Sequence, residues 1–123
     1  MADSEQTDAV KAVIAAYVEA CRTGDVEKLQ AQFHPQAAMN GFLAGNLLTG
    51  TPDPFFEAVA SNPAPVDTGA VYQTEISDIV IGNNIATGTL TERGFMGMDF
   101  VNQFQLLQSE GQWKIVAKLF ESN

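Results

Sequence analysis

The chain has 123 residues, 46% of them apolar, and sets six Lys or Arg against 15 Asp or Glu for a net charge of −9. That length suits a single domain, residues 1–123, with 1–7 expected to be a flexible start. A nucleic-acid binder needs a basic footprint and anionic membranes attract basic segments, so neither partner is expected. No apolar run approaches the ~20 residues of a membrane span. The acidic opening Met1 to Asp8 is unlike a signal peptide, and a lone Cys21 cannot form an internal disulfide. Both features point to the cytoplasm.

Taken in order, the chain first predicts an amphipathic helix over residues 9–22. Val10, Val13, Ile14, Tyr17, Val18 and Cys21 make one continuous apolar stripe on it. Thr7 or Asp8 suits its cap, and Thr23-Gly24 its left-handed stop. Asp25 caps a second helix, Val26 to Phe33, which ends at His34-Pro35 because a residue before proline avoids helical geometry. Ala38–Gly41 and Asn46–Thr49 read as a small hairpin. Thr51-Pro-Asp-Pro54 starts a third helix with Phe55, Phe56, Val59 and Ala60 on its buried side. Asn62-Pro-Ala-Pro-Val66 reads as a rigid exposed loop.

From Val71 onwards the chain reads as four antiparallel strands. They are Val71–Ile81, Ile85–Arg93, Phe100–Leu107 and Trp113–Phe120, with tight turns at Gly82-Asn83-Asn84 and Ser109–Gln112. Gly88, mid-strand, marks a bulge or sharp bend. Alternation places Phe100, Asn102, Phe104 and Leu106 on the inner face, with Trp113, Ile115, Ala117 and Leu119. Lys114, Val116, Lys118 and Phe120 fall outside. The outer face is then partly apolar, through Val101, Leu107, Val116 and Phe120, and is expected to pack against a second copy as a homodimer.

Four stretches carry a family resemblance: Tyr17-Val-Glu-Ala20 with Gly24-Asp25, Phe33-His-Pro-Gln-Ala37, the Gly82/Ala86 hairpin, and Gly111-Gln-Trp-Lys-Ile-Val-Ala-Lys118. With the element order they resemble the nuclear-transport-factor-2-like (NTF2-like, SnoaL-like) superfamily, and within it the family labelled putative lumazine-binding. The resemblance implies an α+β, cone-shaped fold, in which a strongly curved antiparallel sheet is covered by three N-terminal helices around a pocket. It also implies dimers through sheet faces, and relatives that include ketosteroid isomerases, scytalone dehydratases and polyketide cyclases. Fold alone does not give function.

Expected cavity walls are Tyr17, Phe33, Met39, Phe42, Phe56, Phe100, Phe104 and Trp113, with His34 and Asn102 as polar handles. His34, the only histidine, suits a general base or ligand partner, or else a cap on its own helix. Glu92 shares a face with Ala86, Gly88 and Leu90, so it either enters the cone or pairs with Arg93 or Lys118 at the rim. Phe95, Met96 and Met98 make an apolar lip suited to a gate. No spacing of His, Cys and carboxylates suits a metal, and no motif implies a cofactor. Three functions remain: binding a small, largely apolar organic ligand; an isomerase, dehydratase or cyclase moving a proton through His34 or Glu92; or a dimeric module with a filled cone.

Overall fold

The structure is a computed structural model that describes residues 2–123. Helix α1 (Ala2–Thr23) and the short α2 (Val26–Ala31) lead into strand β1 (Phe33–Leu43) and its hairpin partner β2 (Asn46–Leu48). Helix α3 (Asp53–Ser61) and the one-turn α4 (Pro65–Thr68) follow, then β3 (Gln73–Ile81), β4 (Ile85–Phe95), β5 (Met98–Ser109) and β6 (Gln112–Ser122). The six strands form one curved, unclosed sheet in the order β2-β1-β6-β5-β4-β3. All pairings are antiparallel except β1 with β6.

The stripe on α1 lies where periodicity puts it: Val10, Ile14, Tyr17, Val18 and Cys21 are all buried. The helix begins at Ala2, so Thr7 and Asp8 lie inside it and do not cap it. Gln6 ties this early turn to the sheet, donating to Gln108 Oε1 and accepting from the Trp113 indole N–H at 2.8 Å. Asp25 caps α2 through the Lys28 N–H, and Gly24 turns the chain at φ +75°.

Several expectations need correction. The second helix stops at Ala31, and Phe33-His34-Pro35 opens β1, which is longer than a small hairpin strand. The Asn62–Val66 segment is not an exposed loop: Ala64 and Pro65 are buried, and Pro65 starts α4. Gly88 does mark a bulge, as expected: it keeps register with Phe104 of β5, but on the β3 side Ser77 pairs with Thr89 and Val80 with Thr87, so Asp78 and Ile79 together stand opposite it. Its missing side chain also admits Ile14 and Ile79, whose Cδ1 atoms stand 2.8 Å from where a Cβ would be.

Another bulge decides the inner face of β6. Gln105 pairs with Ala117 while Leu106 pairs with Ile115, which leaves Val116 as an extra residue in β6. A one-residue slip exchanges the faces of everything beyond it. Trp113 and Ile115 therefore point inward as expected, but Lys118 and Phe120 do too, at 3% and 4% exposure. Leu119 is turned out, and Ala117 is only half-buried. Phe120 thus leaves the set proposed for the outer apolar face, where Val101 remains exposed and Leu107 and Val116 are half-buried.

Gly41 on β1 lets that strand approach β6 closely. A Cβ there would lie 2.0 Å from the Phe120 carbonyl oxygen, a backbone atom that cannot rotate away. Gly41→Ala is expected to cost about 2–3 kcal/mol, and Gly88→Ala less, because only the ends of two isoleucines must shift. Urea unfolding of both variants measures the difference; equal losses would contradict the close strand approach.

Candidate functional site

Four polar side chains meet within an otherwise apolar interior: Tyr17 from α1, Glu92 from β4, Asn102 from β5 and Lys118 from β6. The Lys118 Nζ donates to Tyr17 Oη at 2.5 Å. It stands 3.9 Å from the ring centre of Phe55, 5.1 Å from that of Tyr17 and 5.3 Å from that of Phe120. Aromatic faces attract a cation, more so when water is excluded, and partly offset its burial. Among the described residues the one ion pair is Arg22–Glu19 on the surface. The Lys118 ammonium has no carboxylate in contact.

Glu92 is 2% exposed and each of its oxygens accepts a hydrogen bond. The Tyr72 hydroxyl donates to Oε2 at 2.5 Å and the Asn102 amide to Oε1 at 2.7 Å. Asn102 also donates to the Leu90 carbonyl, while its own Oδ1 has no protein partner. These bonds fix the plane of the carboxylate. Burial, followed by the Glu92 charge, pushes the Tyr72 phenol up, so it stays a donor. Burial likewise raises Tyr17 and Cys21. For Lys118 burial works the other way, lowering the amine from 10.5 to about 8 against the opposing pull of Glu92 and then Cys21.

A cavity of about 290 Å³ opens beside this cluster, between α3, the β1–β2 hairpin and the ends of β4 to β6. Met39, Leu43, Phe55, Phe95, Phe100 and Phe120 supply its apolar wall, and Glu92 and Lys118 are its only charged groups. A wider groove of about 710 Å³ crosses the outer face between Gln73, Arg93, Val101 and Glu121. The smaller cavity is the candidate site, because Tyr17, Glu92 and Lys118 all line it, whereas of these three Glu92 alone also borders the groove.

Of the sequence-derived walls, Tyr17, Met39 and Phe100 line the cavity, as does the lip of Phe95, Met96 and Met98. Phe33, Phe56, Phe104 and Trp113 are packed into the core, Phe33 against Tyr17 and Phe56, and Phe104 edge-on to Tyr17. Phe42 is 45% exposed on the other side of β1. His34 is half-buried in β1 and accepts the Gln36 backbone N–H through Nδ1, away from the cavity. It holds a local turn. Asn102 stands behind Glu92 and orients it. Glu92 takes the inward option, without a salt bridge to Arg93 or Lys118.

Sequence reasoning missed Lys118, Tyr72, Phe55 and Phe120. One signal was present for two of them: Trp113 and Phe120 are an odd number of residues apart. They can share a face only if the strand slips by one. Among the described residues no group of three or more His, Cys, Asp or Glu is placed to hold a metal. No helix among them is long and apolar enough to cross a membrane.

A curved, unclosed sheet with N-terminal helices is the fold this chain shares with solved NTF2-like proteins. Residues 5–121 match the family described as Putative lumazine-binding, and the chain belongs to that family. It is 26% identical over 120 residues to "Aldolase FrzH" of Cladobotryum sp, across 97% of this chain and 93% of that protein. An NTF2-like protein of unknown function from Silicibacter pomeroyi DSS-3 is 28% identical, with a TM-score of 0.87 and 100% of both chains covered. Another from Shewanella baltica OS155 is 23% identical, with a TM-score of 0.86 over 98% of this chain and 95% of that one.

The lowered amine makes stability depend on pH in a stated direction. Folded Lys118 releases its proton near pH 8, whereas the unfolded chain holds it to about 10.5. Between those values the unfolded chain binds more protons, so stability rises with pH; below pH 8 the full cost of the buried charge is present. Lys118→Met abolishes this term. The stability difference between variant and wild type is expected to shift in favour of wild type by about 3 kcal/mol from pH 7 to pH 10.5. Thermal unfolding at the two pH values checks it, and a difference that does not move with pH contradicts the burial of the charge.

Proposed function

We propose that this protein binds a small, largely apolar carbonyl compound in the cone cavity and moves a proton at the carbon beside the carbonyl. One observation carries the reading: a buried, doubly hydrogen-bonded carboxylate, Glu92, on the wall of an apolar cavity. At about 30 Å³ per water-sized group, the volume admits a molecule of about ten heavy atoms. Apolar walls with a few convergent polar groups are what small-molecule sites use.

Glu92 is the base in this scheme. Tyr72 and Asn102 hold its oxygens and Lys118 places a positive charge near the oxygen that turns enolate-like. The likeness to an aldolase over nearly the whole chain supports this reading, because aldol chemistry begins by removing such a proton. The family description makes lumazine a natural first ligand to try beside simple ketones. His34, held in its own turn, takes no part.

The reaction can be tested without the natural substrate. In D₂O, the protein is expected to speed deuterium exchange at the α-carbon of a small cyclic ketone such as cyclohexanone. Glu92→Gln should slow that exchange by about 100-fold or more while binding is kept. Exchange at the buffer rate for a ketone that binds, or an unaffected Glu92→Gln variant, contradicts the proposal.

A further inference from the structure

We propose that Lys118 is a covalent attachment site: its Nζ adds to the carbonyl carbon of an aldehyde or ketone seated in the cavity and forms an iminium. This inference rests on the carbonyl-ligand reading above and assigns a bond-forming role that the reading does not require.

The geometry separates Lys118 from a structural lysine in three ways. First, Lys118 lines a cavity large enough for a ligand, and its nitrogen lies by the rings of Phe55 and Tyr17, which line the same cavity. Secondly, Glu92 lies on the same wall, yet no carboxylate is in contact with the ammonium, so no salt bridge must break before the nitrogen reacts. Thirdly, Tyr17 Oη is bonded to Nζ at 2.5 Å, and burial keeps that phenol protonated. A proton carrier therefore stands beside the reacting nitrogen. A desolvated lysine in an apolar pocket is a recognised route to an activated amine. At neutral pH roughly a tenth of an amine that titrates near 8 is uncharged, against less than a thousandth of an ordinary lysine.

The step balances without a further reactant. The uncharged nitrogen's lone pair forms the C–N bond while the carbonyl π pair moves to oxygen. The proton the ammonium gave up and one N–H proton then leave with that oxygen as water. Counted from the resting ammonium, one positive charge is present before and after. The rings of Phe55, Tyr17 and Phe120 that face the ammonium thus also face the iminium. The iminium makes the adjacent C–H bond more acidic, and Glu92 is the base on the same wall that would receive the proton.

Phenylacetaldehyde, with nine heavy atoms, is the probe. The full-length protein is incubated with it at pH 7, reduced with cyanoborohydride, digested and mapped by mass spectrometry. The reduced adduct is expected on Lys118 at least tenfold faster than on Lys11, Lys28 or Lys114, and Lys118→Met should lose that fast component. Binding of 2-phenylethanol, which fits the same space and cannot form an iminium, is measured alongside. If it binds while Lys118 stays unmodified, the covalent role is overturned and the carbonyl-cavity reading stands. If neither molecule engages the cavity, both are overturned.

Discussion

Taking an ammonium out of water costs several kcal/mol unless its surroundings answer the charge. Lys118 is 3% exposed and touches no carboxylate. Its charge is met by one phenol oxygen and three aromatic faces, with Glu92 further off across the same wall. These are weaker partners than a contacting anion, which is why the amine gives up its proton near pH 8. The cluster is thus held at a cost to stability, as functional sites commonly are.

The scaffold positions this cluster through small departures from regular structure. Val116 slips β6 by one residue and turns Lys118 into the cone. A second bulge between Glu92 and Phe95 lets both of those side chains face inward, with Gly94 in the left-handed region at φ +82°. Gly94 also passes so close to the Val71 carbonyl that a Cβ would sit 2.2 Å from it. Tyr72, the residue after Val71, is thereby brought to Glu92. Helix α1 supplies Tyr17 from the opposite side, in edge contact with Phe104 of β5. Tyr17, Tyr72, Glu92 and Lys118 thus reach the site from α1, the segment before β3, β4 and β6.

Much of this was legible in the residues. The α1 stripe, the turns at Gly82 to Asn84 and after Ser109, and the inward row Phe100, Asn102, Phe104 and Leu106 follow from periods of 3.6 and 2. The cavity lip of Phe95, Met96 and Met98 was legible as apolar side chains clustered at the Gly94–Gly97 turn. What alternation could not supply was the slip at Val116, since Ile115-Val-Ala117 is uniformly apolar and hides where the count changes. Simple alternation therefore inverts the inner face of β6 beyond that point, and Lys118 and Phe120 with it. His34 is the sole histidine, yet its place is fixed by β1 beginning at Phe33, two residues after α2 ends at Ala31, a boundary that the Pro35 signal alone sets too late.

The account's central claim is that Lys118 lies in the cone with its charge largely desolvated. Carbon-13 NMR of the Lys118 Cε together with nitrogen-15 NMR of its Nζ, titrated from pH 6 to pH 11, tests this most directly. A midpoint near 8 is expected for Lys118, set apart from those of Lys11, Lys28 and Lys114. A Lys118 midpoint at the ordinary lysine value of about 10.4 would place the ammonium in water and contradict the site described.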